Sequence, residues 1–232
     1  RSSAASDVYK RQSKKSAGVR VKFIRNDVNK GYAGGMNLGW NVRDPNAKYV
    51  AFLNNDLIVE PESLRNMIEY LESDEKTVAA NGLIYYPDKK TIFSVGGWIN
   101  ELISSGNICE GLSEDECPKL HQEHFVTYAN GAYIIAKAMP SGKPFIDETF
   151  AYLDDNLLGL YLWNKGYKVK YIPINAGIHF VSMTTKGSIG AYYALRGAVA
   201  LSYIVKTKYS HIKQLRLLRR KFNYFINRNR YN

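Results

Sequence analysis

Residues 51–61 read AFLNNDLIVEP: an apolar run enters Asn54, Asn55 and Asp56, and Leu57, Ile58 and Val59 follow before Pro61. Upstream, residues 48–53 (KYVAFL) form a nearly continuous apolar run, the pattern of a strand buried on both faces. Downstream, Pro61 suits the first position of a helix, and Leu64, Met67, Ile68 and Leu71 give that helix an apolar stripe. Asn54-Asn55-Asp56 therefore stands between the carboxyl end of a strand and a helix. Two readings fit. The cluster is an Asx turn that caps the helix, or it is a site, because ligands of α/β sheets lie beyond the carboxyl ends of strands. In the second reading Asp56 holds a divalent cation and leaves positions open for phosphate oxygens.

The rest of the chain sets the context. Residues 19–24 alternate as a strand, 26–35 form a turn-rich loop, and 35–42 start a helix that stops before Asp44-Pro45. Residues 77–84 and 168–172 read as strands, 88–125 as loops and short strands, and 125–136 as a strand carrying Asn130-Gly131-Ala132. Residues 154–163 are helical in pattern, with Gly166 suited to the residue past the helix end. Strands alternating with helices predict an α/β fold, a mostly parallel mixed sheet flanked by helices.

The 232 residues, 45% of them hydrophobic, suffice for one sizeable core. Residues 1–22 carry seven Lys/Arg against Asp7, and residues 203–232 carry nine against no acid. With a net charge of +11, the middle of the chain is mildly acidic. A basic face for nucleic acid is not expected on such a body. No apolar run approaches the length of a membrane-crossing helix. Cys109 and Cys117 lack the tight spacing of metal ligands and are expected as free thiols in a reducing compartment. The start, RSSAASDVYKRQ, is polar, aperiodic and without Met, so residues 1–18 are set aside as a non-native or disordered leader. Residues 19–200 then form the domain, and 201–232 a basic amphipathic tail. In that tail Ile212, Leu215, Leu218, Phe222, Phe225 and Ile226 mark an apolar stripe beside Lys213, Arg216, Arg219, Arg220 and Lys221. Such a helix either meets an anionic membrane surface or docks on its own domain.

Three more features carry chemistry. Residues 29–39 (NKGYAGGMNLG) are a Gly-rich loop opening a helix, which cradles an anion or makes a tight turn. Asp154-Asp155 begins a helix; acids there are stabilising caps, or one is a general base. His179 closes an apolar stretch as a core histidine or a metal ligand.

Their order is more specific than any one of them. NKGYAGGMNLG (29–39), YVAFLNNDLIVEP (49–61), ANGAYII (129–135), FIDETFAYLDD (145–155), NKGYKVKYIP (164–173), GIH (177–179) and YYALRG (192–197) together resemble glycosyltransferase family 2 and its GT-A fold. The subgroup resembled is the rhamnosyltransferase and galactofuranosyltransferase one, with the family's first β-α-β unit missing from the chain. The resemblance implies an inverting transfer from a nucleotide-diphospho-sugar to a glycan or lipid-linked hydroxyl. It makes Asp155 the catalytic base with Asp154 its companion, and Asp56 and His179 the ligands of Mg2+ or Mn2+. Asn29, Gly31, Asn37, Asn54, Asn55, Asn130 and Gly131 fall on the donor side, Asn54 at a position that is often Asp. A cytoplasmic location, peripheral at the inner face of the membrane, goes with this reading. The alternative is a non-catalytic basic domain on the same fold that binds membrane or polysaccharide. A nucleotidyltransferase on a related sheet is a third option, disfavoured because the sequence shows no basic triphosphate loop.

Overall fold

A computed structural model describes residues 21–138, 142–181, 188–212, 214–217 and 219. Residues 1–30 and 31–232 form two compact units. In the first, the expected strand over 19–24 is not found in its described part: residues 21–24 have no regular structure, and Val21, Phe23 and Ile24 are exposed. An alternating run needs a paired neighbour as well as its pattern to form a strand.

In the second unit the element order is α1 (Gly31–Asn41), β1 (Tyr49–Leu53), β2 (Leu57–Val59), α2 (Ser63–Ser73), β3 (Thr77–Tyr85), β4 (Ile92–Ser94), β5 (Gly97–Ile99) and β6 (Ser105–Asn107). A 3-10 turn (Glu114–Glu116), β7 (His124–Phe125), β8 (Tyr133–Lys137), a second 3-10 turn (Asp147–Thr149), α3 (Asp154–Asn164), β9 (Lys168–His179) and α4 (Ser188–Ile204) follow. The main sheet runs β1-β8-β3-β9-β2, with β4 added on β3 and β7 on β9. The sheet is mixed, as expected of this fold class. Its parallel share is smaller than the alternating pattern implies, since β3 pairs parallel with β9 and the other described pairings are antiparallel.

Each strand divides its side chains between two cores, as a two-residue repeat requires. Ala79, Ile134 and Tyr171 join the core beneath α1 and α3, while Ala80, Ile135 and Ile172 join the core beneath α2. Two of the four stripe residues of α2, Met67 and Leu71, are fully buried, whereas Leu64 is exposed. Burying each of the two contributes roughly 1.5–3 kcal/mol. β3 is buried along its whole length, as befits a central strand. β1 is not the doubly buried strand expected from KYVAFL: it lies at one end of the sheet order, and only Phe52 is buried. The expected single strand over 125–136 is also interrupted. β7 and β8 are separated by an irregular turn at Asn130-Gly131.

Cys109 and Cys117 form a disulfide, with Cα atoms 5.7 Å apart, which corrects the expectation of free thiols. Cys109 adopts positive φ (58°), and the 3-10 turn at 114–116 brings the chain back to Cys117, so eight residues suffice for closure. Such bridges persist in oxidising compartments. The pairing therefore removes the support that free thiols lent to a cytoplasmic location. Among the described residues no helix is long and apolar enough to cross a membrane. Of the tail stripe, Leu215 is exposed while Leu217, off that stripe, is buried, and Gln214 donates to the Ser202 carbonyl at 3.1 Å. Leu218, Phe222, Phe225 and Ile226 lie outside the described residues.

Candidate active site

The β2–β9 ladder builds one half of the site. Its register sets Leu57 opposite His179 and Val59 opposite Gly177, and Phe180 N–H donates to the Asp56 carbonyl at 2.9 Å. Gly177 (φ 139°) makes this approach possible, because a Cβ there would sit 2.0 Å from the Ile58 oxygen. The pairing puts His179 Nε2 3.0 Å from Asp56 Oδ1 and 3.3 Å from Asn54 Nδ2. His179 is buried against Phe93 (ring centroids 4.7 Å apart). Burial pulls its pKa below the ordinary value, and the Asp56 carboxylate opposes that pull. Asn55 is the exposed tip of the turn.

These residues suit a hard divalent cation. Among the described residues no group of three or more His, Cys, Asp and Glu could hold a metal, and the candidate ligands are two, Asp56 and His179, with the Asn54 amide nitrogen beside them. Adjacent ligands of an octahedral ion with bonds of about 2.1 Å lie roughly 3 Å apart, which matches the 3.0 Å between Asp56 Oδ1 and His179 Nε2. Two protein ligands leave the remaining positions to phosphate oxygens and water, as is common for Mg2+.

The other half stands at the start of α3. Asp155 Oδ2 accepts from Gly131 N–H at 2.9 Å, and Oδ1 accepts from Asn156 N–H at 2.9 Å. Burial raises its pKa to about 6 against the lowering effect of those N–H groups. Asp154 is more buried still, and burial takes its pKa to about 7, with Thr149 lowering it and Asp155 raising it. Thr149 Oγ1 meets both the Ile146 carbonyl, at 2.7 Å, and Asp154 Oδ1. The hydroxyl has one proton, and the carbonyl can only accept it. That proton is shared between the two acceptors, and the bond Thr149 donates to Asp154 favours the charged carboxyl, which is how it lowers the pKa.

Backbone strain introduces this helix. Phe150, Tyr152 and Leu153 all have positive φ (66°, 70° and 62°), each costing about 1 kcal/mol or more for a non-glycine residue. The strained segment fits because its neighbours are small: a Cβ on Gly31 would fall 2.1 Å from the Phe150 oxygen, and one on Gly197 2.9 Å from the Tyr152 oxygen.

Asn130-Gly131-Ala132 joins the two halves. Ala132 C=O accepts from Asn54 N–H at 3.0 Å, while the adjoining Gly131 N–H binds Asp155. The Gly131 carbonyl accepts from the Tyr32 hydroxyl at 2.8 Å. Tyr32 escaped the sequence reading although it lies within NKGYAGG, because an aromatic residue in a Gly-rich loop looks like packing. Thr149, within FIDET, was missed for the same lack of a distinguishing signal. Asn37, assigned to the donor side, is buried and commits its amide elsewhere: it donates to the Phe145 carbonyl (2.8 Å) and Asp147 (2.7 Å), and accepts from Phe145 N–H (3.1 Å). It braces the segment that leads to the acidic pair. Gly31 opens α1 with φ 68°, and Asn29 belongs to the separate unit of residues 1–30, where it is exposed.

The comparisons agree with this architecture. The profile described as Glycosyl transferase family 2 matches residues 4–119, half of the chain. The match begins inside the stretch set aside as a leader, includes Asn54 to Asp56, and ends before Asp154, Asp155 and His179. Among the solved structures that match is GalNAc-T7 with UDP, GalNAc and Mn2+, at a TM-score of 0.60 and 12% identity. The alignment covers 89% of this chain and 40% of that one, and identity that low speaks to the fold alone. The chain thus spans well under half the length of that relative. A comparison with curated protein sequences finds no match. The chain belongs to glycosyl transferase family 2, and its fold is GT-A.

Proposed function

We propose that this chain carries the donor and base sites of an inverting glycosyltransferase, which moves a sugar from a nucleotide-diphospho-sugar to a hydroxyl of a glycan or lipid-linked acceptor. One observation carries the reading: a single turn, 130–132, is bonded on one side to Asn54 and on the other to the Asp155 carboxylate. That turn ties a cation-suited Asp56–His179 pair to a carboxylate whose pKa is tuned toward neutrality.

In this mechanism Asp56 and His179, with Asn54 beside them, would hold Mg2+ or Mn2+; the matched GT-A structure is of GalNAc-T7 with UDP, GalNAc and Mn2+. When bound, the cation stabilises the charge that grows on the departing diphosphate. Asp155, ionised above about pH 6, takes the proton of the acceptor hydroxyl. The hydroxyl oxygen bonds the anomeric carbon as the bond from that carbon to the diphosphate oxygen breaks, so the anomeric configuration inverts. Gly131 N–H and Asn156 N–H fix the carboxylate and leave it a free lone pair for the proton. Asp154, with a pKa of about 7, is only about half ionised at pH 7 and so adds less than a full second charge beside the base form of its neighbour.

The test is Asp155→Asn in the full-length protein, assayed by sugar transfer from a panel of UDP-, GDP- and dTDP-sugars. Transfer is expected to fall by about 10²–10⁴-fold, with Mn2+-dependent UDP binding retained. Near-normal transfer would sink the assignment. In the wild type, kcat/KM should rise with pH through the region of pH 6, where Asp155 ionises.

A further inference from the structure

The segment 97–117 does more than fill the surface. The β5–β6 hairpin is fastened to the strip that precedes the active-site turn: Gly97 N–H donates to the Tyr128 carbonyl (2.9 Å), Thr127 N–H to the Gly97 carbonyl (2.8 Å), and the Tyr128 hydroxyl to the Gly106 carbonyl (2.9 Å). Gly97 permits this contact, since a Cβ there would lie 2.1 Å from a Tyr128 ring atom. At the end of β6, Asn107 Oδ1 accepts from the buried Asn130 Nδ2 at 2.8 Å. Asn130 Oδ1 accepts in turn from Ala132 N–H at 2.9 Å, bracing the turn whose Gly131 N–H binds Asp155. On its far side Asn107 Nδ2 donates to Glu110 Oε2 (3.1 Å), and Tyr86 donates to Glu110 Oε1 (3.0 Å). Glu110 lies within the loop that the Cys109–Cys117 disulfide closes.

We propose that Asn107 is a positioning residue for Asp155, acting through the Asn130 side chain and the Gly131 peptide. The proposal rests on the reading of Asp155 as the base. The physical reason is that the Asn130 amide has two tasks and one orientation that meets both. With the Asn107 oxygen gone, the buried Nδ2 loses its partner and the amide is free to turn, releasing Ala132 N–H. The turn then loosens and Gly131 N–H draws away from the carboxylate. Losing a hydrogen bond to the charged form makes a carboxylate harder to ionise. The titratable groups that feel the Asp155 charge are Asp154, Tyr32 and Tyr128, and Asn107 bonds none of them.

The experiment is a ¹³C NMR titration of the Asp155 carboxyl in the full chain, for wild type, Asn107→Ala and Asn107→Asp combined with Glu110→Gln. Asn107→Ala is expected to move the midpoint upward by roughly half a pH unit or more. Asn107→Asp keeps an oxygen facing Asn130 but sets a carboxylate against Glu110; combined with Glu110→Gln, whose amide donates back to it, it keeps both bonds and the net charge and should restore most of the wild-type midpoint. Should Asn107→Ala fail to fold, the exposed Glu110→Ala frees the Asn107 amide from its outer side and should shift the midpoint in the same direction. An unchanged midpoint in the folded Asn107→Ala protein, or in Glu110→Ala where that variant is used, overturns the proposal; a merely structural Asn107 would lower the melting temperature alone. The pH profile of sugar transfer from the donor panel should move with the NMR midpoint. Absence of transfer in the wild type would count against the base reading while leaving the NMR result to decide the role of Asn107.

Discussion

At its start β9 presents Lys170 to Asp74 at 3.0 Å, to Glu123 at 3.5 Å and to the Tyr70 hydroxyl at 3.1 Å, with Nζ also 5.0 Å from the Phe125 ring centroid. At its finish it presents His179 to Asp56 at 3.0 Å and Asn54 at 3.3 Å. The first end is complete: a buried ammonium meets acids, a hydroxyl and aromatic faces. The Thr77 hydroxyl and Lys170 hold the Asp74 carboxyl well below the usual carboxylate range. Among the described residues, the second end is acidic without matching Lys or Arg. Asp154 and Asp155, tied to it through the 130–132 turn, owe their raised pKa values to burial, and among the described residues no Lys or Arg figures in either balance. One strand thus separates charge that holds the fold from charge left to meet a proton or an ion.

The comparison can be broken at either end. Asp74→Ala should have the largest effect. It strands a Lys170 side chain that is 11% exposed, with the half-exposed Glu123 as its remaining acid, and costs about 3 kcal/mol of stability in urea unfolding near pH 7. Its penalty should shrink toward low pH, because a carboxyl with a depressed folded pKa stabilises only above its unfolded value and loses that contribution as pH falls. Mn2+-dependent UDP binding should be untouched, and a loss of it would mean that the two ends are coupled. Asp56→Ala should do the reverse. Affinity for UDP in the presence of Mn2+, measured by calorimetry, should drop by about 100-fold, roughly 2.7 kcal/mol, while unfolding changes little. EDTA should bring wild-type affinity down to that of the variant.

Much of this division is legible in the sequence, for physical reasons that differ by element. AFLNNDLIVEP announces a strand that ends in polar residues because the apolar run stops abruptly, and GIH announces His179 in the same way. The 3.0 Å meeting of Asp56 and His179 is not legible. It depends on the register of β2 on β9, which a three-residue strand is too short to encode and which Gly177 makes possible. Asp154-Asp155 is visible as a helix start, but the three left-handed residues before it are bulky (Phe150, Tyr152 and Leu153), with no local signal for positive φ. Asn107 and Asn130 are 23 residues apart and carry no shared pattern. The Cys109–Cys117 bridge went unseen because two cysteines state a distance along the chain, whereas the turn between them decides the distance in space.

Asp154→Asn has the smallest effect and is the sharpest test of what unmatched acidity means at the second end. In the folded protein Asp154 titrates at about 7, in the unfolded chain near 3.9. Between those values the native state keeps a proton that the unfolded state has released. Stability therefore falls as pH rises through that window, the opposite slope to that of Asp74. Asparagine is never charged, so the variant should be more stable than wild type at pH 8, by on the order of 2 kcal/mol once the altered contact with Thr149 is allowed for. That corresponds to a rise of about 4–8 °C in melting temperature for a chain of this size. At pH 4, where Asp154 is protonated in the folded state, the two proteins should melt together. An equal advantage at both pH values would mean that packing, not a buried carboxyl poised near neutrality, governs this corner of the site, and the contrast between the two ends of β9 would lose its electrostatic basis.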